Sequence, residues 1–351
     1  QKCSAASLAI CVGEVHDSPR FRRQLVDAVE SLDVGPAHHP TTSMGPLIGE
    51  PNPRLARAFT TLDAGEEWLV EPRPLDDRGE LWSPGVRTGV RPGSWFHQTE
   101  CFGPVLGLIR AEDLDHAIAI QNDSAFGLTG GLHSLDPAEV EHWSERVEVG
   151  NAYVNRGITG AIVQRQPFGG WKASSVGPGA KAGGPGYVVQ LGTWHPTGPL
   201  DPDVWARSDA DWWRTVHGVD HDPTGLFCES NVLRYRPLPR VGLRIGAGAD
   251  AAAVERVRHA AATCGVPLVE SHHDDEDDGA FAARLAALDV ERVRVVGSTT
   301  EEVRRAAIAA RVHLAEDPVT NDGGVELRHH LREQAVTRTL HRFGNLVQAE
   351  R

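Results

Sequence analysis

The protein has 351 residues, and its 35 Lys and Arg residues against 48 Asp and Glu residues give a formal net charge of −13 at pH 7. This acidic balance argues against a nucleic-acid partner, which needs a concentrated basic face, and no stretch approaches the ~20 apolar residues of a membrane span. Hydrophobic residues make up 40% and charged residues 24% of the chain, which is typical of a globular protein of about two domains.

Alternating helices and short strands are predicted over the first part of the chain. A helix is predicted to begin at Pro19, because Ser18 can cap it and Phe21 and Leu25 open an apolar series spaced by three or four residues. Four further elements are predicted before residue 195, namely helices over 112–120 and from Pro137, and strands over 152–154 and 187–191.

A second alternating pattern follows a Trp- and Pro-rich connector over 196–240, in which no period is apparent. Strands are predicted over 241–245, 267–270, 292–296 and 312–314, and helices over 252–262, 281–288 and 301–310. Strands that alternate with helices of this length predict a parallel sheet covered on both faces. The predicted fold class is therefore α/β.

Three separate segments carry residue types that suit a reactive site. Cys3 stands among small residues beside a lysine, Glu100 and Phe102 precede a Gly-Pro turn, and 166–172 reads Gln-Pro-Phe-Gly-Gly-Trp-Lys. Paired glycines let a backbone pass close to a ligand, and a carboxylate with an aromatic ring can shape a pocket. Taken singly, each has an ordinary alternative: a buried thiol, a turn, or a glycine loop between elements.

Together these segments resemble the aldehyde dehydrogenase superfamily in order and spacing. The stretches 155–163 and 166–172 resemble the substrate loop of its L-glutamate γ-semialdehyde (pyrroline-5-carboxylate) dehydrogenase branch, and 174–185 extends the similarity. The stretches 226–237 and 331–346 are similar to the C-terminal region of bifunctional proline utilization A proteins. The resemblance therefore covers nearly the whole chain.

The resemblance implies domains and reactive residues. It implies the C-terminal part of an aldehyde dehydrogenase catalytic domain over 1–195, the connector over 196–240, and a Rossmann-like αβ domain over 241–351. Cys3 would be the catalytic nucleophile, whose thiolate attacks the aldehyde carbon and forms a thioester after hydride leaves for NAD⁺. Its backbone N–H would contribute to the oxyanion hole.

The resemblance also implies the binding residues. Glu100 would hold the nicotinamide ribose of NAD, and Phe102 would help to position the ring. Gly160 and Ala161 would offer backbone N–H groups, and Ser4 a hydroxyl, to the substrate carboxylate. Phe168 would pack against the methylene chain of the substrate.

Parts of the family pattern are absent from this sequence. The general-base glutamate and most of the dinucleotide-binding domain lie upstream of the cysteine in the family, so we expect a fragment of a longer enzyme that lacks dehydrogenase activity by itself. The resemblance also implies a cytoplasmic enzyme, fused to or paired with a proline dehydrogenase. A homodimer is expected through a strand at 187–191.

Several other features of the sequence favour structural interpretations. The segment from Gly246 to Ala251 imitates a G-x-G-x-x-A dinucleotide fingerprint, but Asp250 would repel a pyrophosphate, which favours a non-binding Rossmann-like fold. The acidic run 272–278 reads as a solvated loop with no metal site. Trp205, Trp212 and Trp213 are predicted to anchor the connector onto the catalytic domain.

The cysteines are predicted to have structural roles, apart from Cys3. Five cysteines at scattered spacings favour reduced thiols, and Cys11, Cys101, Cys228 and Cys264 are predicted to pack inside the protein.

The leading function is NAD⁺-dependent oxidation of L-glutamate γ-semialdehyde in proline catabolism. The alternatives are another NAD(P)-dependent aldehyde dehydrogenase, against which Ser4 and the loop 159–161 argue, and a non-catalytic cover or assembly module.

Overall fold

The computed structural model describes residues 1–342 and 345–346, which form two compact units. The first unit comprises 1–125, 134–148 and 157–159, and the second comprises 126–133, 149–156 and the described residues from 160 onwards. Positions 343 and 344, within the stretch 331–346, lie outside the described residues. So do residues 347–351 at the end of the predicted domain 241–351.

The first unit is built on one four-stranded sheet in the order β1-β4-β3-β2. Its strands are β1 (Leu8–Val12), β2 (Glu67–Val70), β3 (Gly85–Val90) and β4 (Val105–Ala111). Its helices are α1 (Pro19–Glu30), α2 (Pro53–Thr60), α3 (Trp95–Gln98), α4 (Leu114–Asn122) and α5 (Pro137–Arg146). Strands β1, β4 and β3 run parallel, and β2 is antiparallel to β3.

The three helices predicted in this unit are confirmed. Helices α1 and α5 begin at the two predicted prolines, whose fixed φ suits the first helical turn. Helix α4 begins at Leu114, later than predicted, because the Asp113 side chain accepts a hydrogen bond from the His116 amide and caps the helix there. The buried faces of α2, α3 and the sheet meet in a core that includes Leu55, Phe59, Phe96 and Ile109.

Among the described residues, the second unit contains two four-stranded sheets and two two-stranded sheets. Its strands are β5 (Phe126–Gly127), β6 (Thr129–Leu132), β7 (Asn151–Val154), β8 (Trp171–Lys172), β9 (Glu229–Pro237), β10 (Val241–Ile245), β11 (Leu268–His272), β12 (Arg292–Val296), β13 (His313–Ala315), β14 (Leu331–Thr339), β15 (His341–Arg342) and β16 (Asn345–Leu346). Its helices are α6 (Gly186–Val189), α7 (Pro202–Trp212), α8 (Ala251–Cys264), α9 (Asp278–Arg284), α10 (Glu301–Ala310) and α11 (Gly323–Glu326).

The predicted parallel sheet of the C-terminal region is confirmed. Its order is β11-β10-β12-β13, and every pair is parallel. Along β12, Val293 and Val295 pack with α9 and α10, whereas Val296 packs with Val257 of α8. Neighbouring side chains of a strand point to opposite faces, so both faces of this sheet are covered, as in a Rossmann-like fold.

A second sheet joins the C-terminal region to the residues before 155. Its order is β6-β7-β14-β9, with β14 parallel to β7 and antiparallel to β9. Ala335 lies opposite Asn151 in the register, and its amide donates to the Gly150 carbonyl at 2.9 Å. The C-terminal region therefore supplies β14, and the connector 196–240 supplies β9, to the sheet that begins with β6 and β7.

One prediction about the middle of the chain is wrong. The run 187–191 is not a strand, because its backbone bonds locally: the Tyr187 amide donates to the Gly184 carbonyl, and the Leu191 amide donates to the Val188 carbonyl. The residues form helix α6 and a following turn, so the strand expected to mediate a dimer does not exist. The connector 196–240 contains α7 and the nine-residue strand β9.

The tryptophan and cysteine predictions are also corrected in part. Trp212 and Trp213 pack with Val241 and Cys264 of the C-terminal region, not with the predicted catalytic region, and Trp205 lies against Arg256 of α8. All five cysteines are free thiols, of which Cys11, Cys101 and Cys264 are buried as predicted. Cys228 is exposed, because it lies in the turn before β9. Across the described residues, the structure has no helix whose length and apolarity would carry it through a membrane.

Candidate active site

Cys3 and the Glu100–Phe102 segment lie at the same edge of the first unit's sheet. Cys3 precedes β1 and Phe102 precedes β4, and these two strands are parallel neighbours that pair Leu8 with Gly107. The amino ends of parallel strands share one edge of a sheet. The Gln1 side chain ties the two segments together, since its Nε2 donates to the Phe102 carbonyl at 2.8 Å.

The exposure of these residues differs in a way that matters for chemistry. Cys3 and Glu100 are exposed, so a thiol and a carboxylate face solvent, whereas Ser4 is buried. Phe102 is 37% exposed and has a left-handed backbone with φ of 57°, a conformation that is uncommon outside glycine. A Cβ at Gly103 would lie 2.3 Å from Leu55 Cδ1, so glycine is required for this loop to pack on α2.

The predicted substrate loop lies in the second unit except for residues 157–159, and a tyrosine orients its backbone at Gly160. The buried Tyr153 hydroxyl on β7 donates to the Gly160 carbonyl at 2.7 Å. Carbonyl and N–H of a trans peptide point in opposite directions, so the Ala161 N–H points away from Tyr153. The amides of Gly160 and Ala161 donate to none of the residues that the structure describes, and Ala161 is exposed.

Phe168 is half-buried in a loop that Asn151 holds from two sides. The Asn151 Nδ2 donates to the Pro167 carbonyl at 2.9 Å, and its Oδ1 accepts from the Gly169 amide at 3.1 Å. Phe168 itself exchanges two backbone hydrogen bonds of 2.9 Å with Ala182. The peptides on both sides of Phe168 are therefore fixed.

The Lys181 side chain contacts both Asn151 and this loop. Its Nζ donates to the Gly169 carbonyl and lies 3.2 Å from Asn151 Oδ1, and its own amide donates to Glu333 Oε2 of β14 at 2.8 Å. The Trp171 indole donates to the Glu333 carbonyl at 2.8 Å, and the Arg332 guanidinium lies 3.8 Å from the centre of the Trp171 ring. Strand β14 therefore supports the segment that carries Phe168.

The stability of the protein is expected to rise with pH through the titration of Lys181. Burial lowers the pKa of Lys181 from 10.5 to about 7, so between these values the unfolded chain binds a proton that the folded protein does not. The free energy of unfolding of the unmodified protein, relative to that of Lys181→Met, should increase from pH 7 to pH 10.5, with a slope of up to about 1.4 kcal/mol per pH unit. Urea unfolding of both proteins across this range measures the slope, and two parallel curves would contradict the assignment.

The G-x-G-x-x-A segment is closed by its own residues. A Cβ at Gly246 would lie 1.9 Å from the Ser298 carbonyl oxygen, which leaves no room for a ligand on that side. The Asp250 side chain accepts a hydrogen bond from the Ala252 amide and caps α8. A carboxylate thus occupies the helix end at which a pyrophosphate would bind, and the segment does not fit a dinucleotide.

The acidic run after β11 is held by pairs of side chains. His272 Nε2 lies 3.3 Å from Glu270 Oε2, and His273 Nδ1 lies 4.0 Å from Asp278 Oδ1. Within the part of the chain that the structure describes, no group of three or more His, Cys, Asp or Glu side chains is arranged to hold a metal ion.

Sequence reasoning missed the residues that hold the loop. Asn151, Lys181 and Glu333 were assigned no role, and neither was Glu229, whose carboxylate contacts both Arg165 and Arg156. One signal was available: Lys181 is a lone cation in a stretch of glycine and alanine, where a buried amine needs carbonyl partners. Glu333 is 152 positions away from Lys181, and no local pattern predicts that contact.

Comparison with known proteins places these residues in a family. The family model described as the aldehyde dehydrogenase family matches residues 1–191. The chain is 40% identical over 190 residues to a 1-pyrroline-5-carboxylate dehydrogenase of Geobacillus sp. (strain WCH70), and 38% identical over the same length to that of Bacillus subtilis (strain 168). Each match covers 54% of this chain and 36% of the relative, so the chain spans about a third of the length of these curated relatives.

A solved structure extends the similarity through the C-terminal region. Proline Utilization A (PutA) from Corynebacterium freiburgense has a TM-score of 0.87 and 49% sequence identity, over 99% of this chain and 36% of that one. The resemblance predicted for both regions is confirmed, and with it the α/β fold. The chain belongs to the aldehyde dehydrogenase family.

Proposed function

We propose that this protein carries the nucleophile and the substrate loop of an NAD⁺-dependent dehydrogenase that oxidises L-glutamate γ-semialdehyde, formed from 1-pyrroline-5-carboxylate, to L-glutamate in proline catabolism. The names of the relatives support the substrate, and the similarity to a proline utilization protein supports the metabolic setting. We infer on the same grounds that it acts fused to, or paired with, a proline dehydrogenase.

The observation that carries the substrate class is the hydrogen bond from Tyr153 to the Gly160 carbonyl. This hydrogen bond turns the Ala161 N–H away from Tyr153, next to the Gly160 N–H, and neither amide donates to a described residue. Two adjacent free amides of this kind form a nest for a carboxylate. The Gln166 side chain is buried and its amide atoms have no hydrogen-bond partner in the described structure. Its Oε1 lies 3.1 Å from where a Gly160 Cβ would be, so a further polar group faces the loop.

Cys3 is the proposed nucleophile. Its thiolate would attack the aldehyde carbon, and the carbonyl π electrons would move to oxygen, where the backbone N–H of Cys3 would stabilise the negative charge. Collapse of the tetrahedral adduct would re-form the carbonyl as hydride leaves, giving a thioester on Sγ. Water would then cleave the thioester to the carboxylate product and return the thiol. Phe168 would pack against the methylene chain of the substrate, and Ser4 would add a hydroxyl to its carboxylate.

Glu100 and Phe102 are the proposed residues for the cofactor, and their exposure fits that role. The Glu100 carboxylate is free to accept hydrogen bonds from two ribose hydroxyls, and the partly exposed Phe102 ring offers an edge to a planar group. When bound, NAD⁺ supplies the hydride acceptor. The Gln1 side chain donates a hydrogen bond to the carbonyl of Phe102, whose backbone is left-handed, and so holds the backbone that carries this ring.

The substrate class can be tested by a matched pair of aldehydes. NADH formation by the longest natural polypeptide that contains this sequence is followed with L-glutamate γ-semialdehyde and with butanal, which lacks the α-amino acid group. We expect kcat/KM to be at least about a hundredfold higher for the semialdehyde, because the unpaired loop amides reject a substrate without a carboxylate.

The other outcomes separate the competing functions. Equal kcat/KM for the two aldehydes would show that the protein is an aldehyde dehydrogenase without selectivity for a carboxylate-bearing substrate. NADH formation with neither aldehyde would exclude the dehydrogenase and favour a cover or assembly module. We expect the 351-residue chain assayed alone to form no NADH, and turnover by it would contradict that expectation.

A further inference from the structure

A cavity of about 210 Å³ lies within the second unit, away from every residue assigned above to nucleophile, cofactor or substrate. Its walls come from the turn 178–180, the residues around α6, and the segment that runs from β12 to β14. An apolar cavity of about 150 Å³ is enough to bind benzene, so this space can hold a small organic molecule.

Two arginines of this cavity make no salt bridge with any described residue, although Arg328 lies close enough to Glu333 to lower the pKa of that carboxyl. Arg292 is 5% exposed, and its guanidinium donates only to backbone carbonyls, at 2.8 Å to Pro178 and 2.5 Å to Arg328. Its Nε has no hydrogen-bond partner among the described residues, and burial lowers the pKa of Arg292 to about 10. The Arg328 side chain makes no hydrogen bond or ion pair with any residue of the described chain, and its Nε is buried. A buried unpaired donor costs free energy unless a ligand satisfies it.

Two histidines face the same space as neutral rings. Burial lowers the pKa of His313 to about 4 and that of His329 well below 6.5, and the Arg292 guanidinium opposes their protonation further. The buried Nε2 of His329 has no hydrogen-bond partner among the described residues. At neutral pH these rings can each donate one N–H without adding charge.

The acidic lining limits the charge that the cavity can accept. Glu333 and the exposed Asp317 also line it, and Glu333 Oε2 already accepts the Lys181 amide. Burial raises the pKa of Glu333. Two guanidinium groups therefore face two carboxyl groups, which suits an anion of one charge better than a dianion. The remaining wall is apolar and includes Val189, Trp194 and Leu331.

We propose that this cavity binds a small organic monocarboxylate, with its carboxylate on Arg328 and Arg292 and its apolar body against Val189, Trp194 and Leu331. The Arg328 guanidinium, which donates no hydrogen bond to any described residue, supplies the two parallel N–H donors that a carboxylate needs. The apolar wall gives the ligand a hydrocarbon body. This site is separate from the proposed dehydrogenase chemistry and does not depend on it.

The test is isothermal titration calorimetry of the 351-residue protein with 4-methylpentanoate. Its neutral amide, 4-methylpentanamide, has the same shape without the charge, and inorganic phosphate is the competing oxyanion. We expect saturable binding of one 4-methylpentanoate per chain, and neither the amide nor phosphate should displace it. Arg328→Gln should weaken binding by about tenfold or more, whereas Arg328→Lys should retain part of the affinity.

Arg305→Gln is the matched control, because it removes an exposed arginine of α10 whose nearest carboxylate lies 3.7 Å away within the same helix. It should bind 4-methylpentanoate as the unmodified protein does. Absence of saturable binding, equal binding of the amide, displacement by phosphate, or an unchanged affinity in Arg328→Gln would each overturn the proposal. The comparison of acid with amide uses the unmodified protein and decides the question even if Arg328→Gln does not fold.

Discussion

Replacing Cys3 with alanine is expected to lower NADH formation from L-glutamate γ-semialdehyde by at least about a thousandfold, because the covalent step has no other nucleophile. Cys3 is exposed at the edge of the sheet where β1 and β4 begin. Its removal deletes a single exposed sulfur, so the fold should be unaffected. Steady-state assays of the longest natural polypeptide containing this sequence measure the loss.

Cys228→Ala is the matched control for this experiment. Cys228 is the other exposed cysteine of the chain, so it experiences the same alkylating and oxidising conditions, and its replacement should leave NADH formation unchanged. An aldehyde-mimicking thiol reagent should label Cys3 and inhibit in proportion to that labelling. Turnover that survives Cys3→Ala would make the nucleophile assignment wrong.

Replacing Asp209 with alanine is expected to have the largest effect on stability. Asp209 accepts two hydrogen bonds from Arg256, at 2.7 and 2.8 Å, and both side chains are fully buried. Without the carboxylate, Arg256 remains as an unpaired charge inside the second unit, which typically costs about 3–5 kcal/mol. Urea unfolding of the unmodified protein and of Asp209→Ala measures the difference in the free energy of unfolding.

Two further variants show whether the buried charge is the cause. Asp211→Ala changes an exposed aspartate next to the end of the same helix, α7, and should alter the free energy of unfolding by less than about 0.5 kcal/mol. The double change Asp209→Leu with Arg256→Met removes both charges and should recover most of the loss, because an apolar pair avoids the desolvation cost. A double variant as unstable as Asp209→Ala would instead indicate lost packing.

The C-terminal region illustrates how far local patterns reach. Strand β12 occupies the predicted residues 292–296, and helix α10 the predicted 301–310. Both elements have strong periodic patterns, bounded by residues that begin or end an element. The run 187–191 has an equally β-rich composition and still forms a helix, because its hydrogen bonds close within the chain and no neighbouring strand pairs with it in the described structure.

The proposed site also contains residues that motifs predict and supporting residues that only the tertiary structure reveals. The proposed site residues Cys3, Glu100 and Phe102 and the proposed loop around Gly160 are predicted from motifs, since their residue types and order are visible in the sequence. The residues that orient the loops around Gly160 and Phe168 are not. Tyr153, Asn151 and Lys181 act through hydrogen bonds to backbone carbonyls and amides, and such contacts carry no signature in spacing.

The sequence by itself determined the α/β class, the elements with strong periodicity, the family resemblance and the candidate chemistry. Only the tertiary structure showed that β14 lies beside β7, that Glu333 contacts Lys181, and that the buried Nε of Arg328 has no hydrogen-bond partner among the described residues. The physical reason is that element type depends on neighbours within a few residues. Strand pairing and the burial of charge depend on segments more than a hundred residues apart, whose meeting no local free energy specifies.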